Sequence, residues 1–175
     1  MDFAIICAVA FSASLLTFYT GFGLGTLLLP AFAAFFPAEA AVALTAVVHF
    51  LNSLFKLVLV GWHANIRVAV RFGVPAIGSA IGGAIVLVWL TGQEPLWTYE
   101  VTGRSFQIMP VAFVIALLMV AFAALELWPH SKRVSIAMRY LPVGGLITGF
   151  FGGLSGHQGA LRSAFLIRAG LEKEA

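Results

Sequence analysis

A mostly apolar stretch of the chain is interrupted by polar residues that include His49, Asn52, Ser53 and Lys56, at spacings that suit anion binding. His49, Asn52 and Lys56 lie three and four residues apart, so in a helix they share one face. An ammonium group beside imidazole and amide groups can hold an anion where water is scarce. Two of these residues also have a simpler explanation, because Lys56 can extend its charge towards water and Asn52 can hydrogen-bond a neighbouring helix.

A second group of polar residues lies near the end of the sequence. Gln158 and Arg162 are four residues apart, and the planar guanidinium of an arginine suits an oxyanion. His157 falls on another face of a continuous helix, and a break at Gly156 or Gly159 would remove that conflict. The alternative is that Arg162 lies at a helix end near water. We expect a small anionic substrate to be bound by His49, Asn52, Lys56, His157, Gln158 and Arg162.

Two glycine-rich segments look like copies of one another. Residues 20–30 read Thr-Gly-Phe-Gly-Leu-Gly-Thr-Leu-Leu-Leu-Pro, and residues 149–159 read Gly-Phe-Phe-Gly-Gly-Leu-Ser-Gly-His-Gln-Gly. An internal repeat of broken helices is typical of secondary transporters. A break would free backbone N–H groups, which attract anions at a helix N-terminus. We expect such breaks at Gly21, Gly23, Gly25, Gly152, Gly153, Gly156 and Gly159.

Close helix packing is the other explanation for these glycines. Small residues four apart let two helix backbones touch. This spacing occurs at Gly21 and Gly25, at Gly78 and Gly82, and at Gly145, Gly149 and Gly153. We assign Gly78 and Gly82 to packing alone. The density and recurrence of glycine in the two copies favour breaks there.

The composition requires these segments to be placed in a membrane. The chain has 175 residues, of which 61% are hydrophobic and 10% are charged, against about 25% charged residues in a soluble domain. Several runs without Asp, Glu, Lys or Arg are each long enough to cross a bilayer. Because lipid offers the backbone no hydrogen-bond partner, the spans must be helices. The runs are Phe3–Ala38, Phe72–Gln93, Ser105–Leu125 and Tyr140–Leu161.

We predict an all-α fold, a polytopic transmembrane helix bundle with glycine-broken helices and an internal repeat. A turn is expected over Pro30–Glu39, with Pro37 where a new helix begins. The polar segment Thr91–Gln107 is expected to be a loop or a surface helix. The five predicted spans are Phe3–Leu29, Ala40–Val60, Phe72–Leu90, Ile108–Leu127 and Leu141–Leu166.

The two copies begin the first and fifth spans, so they share an orientation and form parallel repeats. Residues 1–140 are expected to be the first repeat, with about four transmembrane helices, and residues 141–175 the start of a second, with one broken helix and the remainder absent. Basic residues such as Arg67, Arg71 and Lys132 place the loops after spans two and four in the cytoplasm. Thr91–Gln107 then faces the opposite side.

The residues suggest a family. Gly21–Pro30, an alanine-rich second span that ends near Lys56 and Gly61, and Gly152–Arg162 together resemble the TauE/SafE sulfite-exporter family. The resemblance covers nearly the whole chain, and the two glycine segments carry its specificity. It implies a transporter that moves sulfite, sulfoacetate and other small organic anions.

Two departures from that family accompany the resemblance. His157 and Gln158 stand where the second copy is usually glycine-rich, which would mark a subfamily with another substrate. The family's pattern would also continue for about three further spans beyond Ala175. The chain is therefore expected to be either a fragment or a short form that completes itself as a homo-oligomer.

The sequence as a whole predicts a multi-pass transporter for small anions in the inner cell membrane. We expect lipid as its surroundings, no nucleic-acid partner, no cofactor, no metal and no enzymatic activity. A membrane enzyme would need clustered acids or a nucleophile with a base within the spans, and no Asp follows Asp2. A non-transporting membrane subunit or degenerate fragment is the stronger alternative, because half of the second repeat is missing.

Overall fold

The chain folds mainly into helices. The computed structural model describes residues 7–15, 24–63, 65–127, 138–156 and 161, and within them lie six α-helices and one two-stranded antiparallel sheet. Short 3₁₀ turns precede α4 and α6 at Gly61–His63 and Met138–Tyr140. The elements are α1 (7–15), α2 (Leu24–Ala33), α3 (Ala38–Val60), α4 (Ile66–Thr91), β1 (Trp97–Val101), β2 (Arg104–Ile108), α5 (Pro110–Leu127) and α6 (Leu141–Ser155).

Helices α3 and α4 are the longest elements, and both are apolar. Among the described residues they are the two that are long and apolar enough to cross a bilayer, while α5 is apolar over a shorter stretch, Pro110–Leu125. At 1.5 Å per residue, α4 measures roughly 39 Å, against a hydrocarbon core of about 30 Å. Only 11% of the most apolar window of either helix is buried. Most of their apolar surface must therefore meet lipid or other protein.

Helix α4 begins six residues before the predicted third span. The prediction placed its start at Phe72, because Arg67 and Arg71 were read as loop residues. Asn65 instead caps the helix: its side-chain oxygen accepts hydrogen bonds from the backbone N–H groups of Arg67 at 3.1 Å and Val68 at 3.4 Å. Such a cap satisfies N–H groups that have no partner within the helix, so both arginines lie in its first turns.

The turn predicted over Pro30–Glu39 is shorter than expected. Helix α2 continues through Pro30 to Ala33, and the N–H of Ala34 donates to the carbonyl of Pro30 at 3.1 Å. A proline inside an apolar helix is tolerated where neighbouring helices and local adjustments compensate for the lost hydrogen bond. Helix α3 starts directly after Pro37, as predicted.

The first three helices and α5 share one apolar core. Its buried residues come from α1, α2, α3 and α5, and the ring of Phe122 on α5 also meets that of Phe151 on α6 edge to face, at 5.9 Å between centroids. Lipid tails are as apolar as these side chains, so close packing rather than removal from water stabilises such a core in a membrane. The core comprises Ala13, Leu28, Leu29, Phe32, Ala41, Val42, Val111 and Ile115.

Glycines bring α4 and α6 into backbone contact. A Cβ added to Gly145, Gly149 or Gly153 would overlap the carbonyl groups of Phe72, Ala76 and Ala80, respectively. Both series rise by four residues, so the two helices run parallel. A Cβ on Gly83 of α4 would in turn overlap the backbone of Phe150. This is small-residue packing of the kind that holds membrane helices together.

The packing predicted for Gly78 and Gly82 is wrong for Gly78. A Cβ at Gly78 would have nothing within 4 Å, and one at Gly82 would only reach the ring of Phe150 at 4.0 Å. The face of α4 that meets α6 carries Ala76, Ser79 and Gly83 instead, which are offset around the helix from Gly78. Spacing alone does not say which face of a helix has a neighbour.

Residues 97–108 form a β-hairpin where a loop or surface helix was predicted. The two strands pair in register from Trp97 with Ile108 to Val101 with Arg104. Thr102 and Gly103 make the turn with φ angles of 53° and 75°, the left-handed values that a two-residue hairpin turn requires. Residues 97–101 and 105–108 alternate apolar and polar side chains, which is the sequence signal that predicts a strand.

Candidate functional site

The predicted polar residues of α3 lie on its inward-facing side. His49, Asn52 and Lys56 are half-buried, and they continue the face on which Val42 and Thr45 are buried. At 100° per residue, Thr45 and the three polar residues fall within an arc of about 60°. The Nε2 atom of His49 is itself buried. We call these three residues the polar stripe.

The opposite side of α3 is apolar and exposed. Phe50, Leu54, Leu57 and Val58 are exposed, Phe50 by 67%. Polar side chains in a membrane helix are costly unless they face the protein interior or water. Helix α3 therefore has an exposed apolar side and carries its polar stripe on the side that faces the protein.

Helix α6 ends against the same face of α3. Gly156 has a φ of 68°, and its N–H donates to the carbonyl of Gly152 at 2.8 Å, which is a common glycine stop for a helix. A Cβ built on Gly156 would lie 3.2 Å from the carbonyl oxygen of Val42 and 3.6 Å from the Cβ of Thr45. The end of α6 thus touches α3 one helical turn from His49.

The glycine segments differ from the predicted breaks at two positions. Gly152 and Gly153 lie inside α6, which is continuous to Ser155. Gly153 packs against the backbone of Ala80. The chain leaves the helical conformation at Gly156. Gly25 lies in the first turn of α2 and is buried, while Gly21, Gly23 and Gly159 lie outside the described residues.

The end of α6 approaches α3 one helical turn before the polar stripe. Gly156 lies against Val42 and Thr45, so the second and fifth predicted spans meet there. The predictions for His157, Gln158 and Arg162 lie outside the described residues. His157 follows Gly156 in the sequence.

Thr45 lies at this contact and Thr148 lies two turns earlier in α6, and neither is among the predicted site residues. Thr45 on α3 and Thr148 on α6 are fully buried. Each donates to the carbonyl four residues earlier in its own helix, at 2.7 Å. The sequence signal for Thr45 was available, because it lies one turn before His49 on the same face. Bonds of this kind satisfy a hydroxyl within an apolar helix.

The described side chains of the site include one histidine and no carboxylate or thiol. Across the part of the chain that the structure describes, no three His, Cys, Asp or Glu side chains lie together as a metal site would need. Its polar groups are one ammonium, one imidazole and one amide, which together suit hydrogen bonding to an anion.

Helices α3 and α4 are long and apolar enough to cross a bilayer, and polar side chains within such helices are typical of membrane transporters. The sequence model of the family described as "Sulfite exporter TauE/SafE" matches residues 6–174, nearly the whole chain, so the chain belongs to this family of membrane transporters. The resemblance drawn from the glycine segments is thereby confirmed. Comparison with curated proteins finds no significant match, and neither does comparison with solved structures.

Proposed function

We propose that this chain carries small oxyanions, sulfite or organosulfonates, across the inner cell membrane, and that the polar stripe of α3 binds them. The observation that carries the proposal is the position of the stripe: His49, Asn52 and Lys56 lie half-buried on the one face of α3 that meets the rest of the protein. Membership of the TauE/SafE family supports transport of such anions.

The charges on α3 favour an anion over a cation. Its residues include one acid, Glu39, in the first turn, and one base, Lys56. Glu39 lies near the opposite end of the helix from Lys56, so the stripe itself holds one basic residue and no acidic one. Asn52 and His49, one and two turns away, can donate hydrogen bonds to the oxygens of the same anion.

The segment after α6 is proposed to complete the site. The chain leaves α6 at Gly156, in contact with Thr45, and the residues that follow include His157, Gln158 and Arg162. The guanidinium of Arg162 would hold two oxygens of the anion at once, which Lys56 cannot do because its ammonium is a compact point charge. The two cations would thus have different roles in binding.

The test is sulfite counterflow into liposomes that contain the protein. We expect Arg162→Ala to reduce the initial rate by about tenfold or more, since a lost charge-assisted hydrogen bond costs about 1.5–3 kcal/mol. Arg162→Lys should recover only part of the rate, because the charge returns without the planar fork. An unchanged rate for Arg162→Ala would remove Arg162 from the site. No flux from folded wild-type protein would favour the non-transporting alternative.

Several broader features belong to the same proposal. The protein is proposed to span the membrane more than twice, with Arg67 and Arg71 on the cytoplasmic side by the positive-inside bias. Residues 1–140 and 141–175 are proposed to be parts of two parallel repeats, whose rocking would give alternating access.

A further inference from the structure

The β1–β2 hairpin has two chemically different faces. Residues paired directly across an antiparallel ladder lie on the same face, so the register separates the two sets of side chains. The rings of Tyr99 and Phe106 stack across the strands at 5.7 Å between centroids, 20° from parallel. The aromatic face carries Trp97, Tyr99, Val101, Arg104, Phe106 and Ile108, and the polar face carries Thr98, Glu100, Ser105 and Gln107.

Nothing within the described residues buries the aromatic face. Every residue of both strands is exposed, including Trp97 at 69% and Val101 at 51%. A hairpin of two strands is at best marginally stable in water by itself. Its aromatic face therefore needs an apolar surface to rest on.

The hairpin is held at the ends of two apolar helices. A hydrogen bond from the N–H of Leu96 to the carbonyl of Ile108, at 2.8 Å, closes its base, and only Met109 separates β2 from α5. On the other side, α4 ends at Thr91, and the exposed Trp89 lies in its last turn. Tryptophan at the end of a membrane helix marks the headgroup level, so the hairpin starts at that level.

The charges of the hairpin match a lipid surface. Arg104 lies on the aromatic face, at its outer end, whereas Glu100 lies on the polar face. A cation among aromatic side chains can reach lipid phosphates while the rings enter the headgroup region. We propose that the hairpin lies flat on the bilayer, with its aromatic face among the headgroups and its polar face in water. It would thereby anchor the α4–α5 connection to the membrane surface.

Spin-label accessibility tests this placement residue by residue. Cys7 is the single cysteine, so Cys7→Ser provides a background for one label at a time in liposomes of phosphatidylcholine and phosphatidylglycerol. Val101→Cys and Ile108→Cys report on the aromatic face, and Glu100→Cys and Gln107→Cys are their matched controls; all four leave the stacked rings intact. The ratio of oxygen to nickel-chelate accessibility should be about threefold or more higher on the aromatic face, because oxygen concentrates in lipid.

Three other outcomes would overturn the proposal. High nickel accessibility on both faces would show that the hairpin projects into water. Aromatic-face labels shielded from both reagents would show that protein covers this face, either a second copy or another partner. Equal lipid exposure of both faces would show that the hairpin is submerged. A second readout avoids labels. The fluorescence of Trp97 is obtained as the difference between the wild-type protein and Trp97→Phe, and brominated lipids should quench it. Absence of that quenching would also contradict the proposal.

Discussion

Replacing Gly149 by alanine is expected to destabilise the protein by about 2–3 kcal/mol, a large effect for one methyl group. The added Cβ would overlap the carbonyl of Ala76 and the hydroxyl oxygen of Ser79, and it would lie 2.6 Å from the Cα of Ala76. Two of these atoms belong to the backbone, so α4 and α6 must move apart. The measurement is the mole fraction of SDS at which half of the purified protein is unfolded in mixed micelles.

The same substitution at Gly78 provides the matched control. Gly78 lies on α4, and a Cβ there would have nothing within 4 Å. Alanine also favours a helix over glycine by about 1 kcal/mol, so Gly78→Ala should leave the unfolding midpoint unchanged or raise it. If both variants unfolded at the same SDS fraction, the close approach of α4 and α6 would not be a feature of the protein.

Replacing Lys56 by glutamine is expected to lower the initial rate of sulfite counterflow by about tenfold or more, with the fold intact. Lys56 is the base of α3 and lies half-buried on the polar stripe. Its loss removes a charge that the proposed anion site requires. Lys56→Arg keeps the charge and should retain most of the rate.

The control for Lys56 is the same loss of charge elsewhere. Arg67 is exposed in the first turn of α4, outside the polar stripe, and Arg67→Gln should change the rate by about twofold or less. If Lys56 served only to extend its charge to the membrane surface, Lys56→Gln and Arg67→Gln would both transport normally. That result would remove Lys56 from the binding site.

The sequence was most informative about helices whose ends are marked by proline. The second predicted span, Ala40–Val60, begins two residues later than α3 and ends at the same residue. The agreement is close because Pro37 marks the start of the helix in the sequence. The fifth predicted span begins at Leu141, as α6 does. The predicted start of α4 is wrong because the two charged residues Arg67 and Arg71 indicate a loop, whereas the capping oxygen of Asn65 starts the helix before them. The hairpin differs from the predicted loop or surface helix because the alternation of apolar and polar residues is short, five residues in β1 and four in β2.

Which glycine packs against which helix could not be read from the sequence. Gly78 and Gly82 have the same spacing as Gly145 and Gly149, yet a Cβ at Gly78 would meet open space and one at Gly149 would meet backbone. The difference is set by the crossing of α4 and α6, which joins distant parts of the chain. For the same reason, spacing predicted that His49, Asn52 and Lys56 share a face but not that this face continues the buried side of α3.

The most direct measurement of the central claim is anion protection of a cysteine on the polar stripe. In the Cys7→Ser background, the Asn52→Cys protein in liposomes is treated with N-ethylmaleimide. The rate of thiol modification is measured once in methanesulfonate and once in chloride, at equal ionic strength. Phe50→Cys, on the apolar side of α3, is the control, because its thiol should meet lipid and react slowly. We predict that Asn52→Cys reacts readily and that methanesulfonate slows the reaction by about threefold or more. A thiol at position 52 that is as unreactive as at position 50, or that reacts equally fast with both anions, would contradict an anion site on α3.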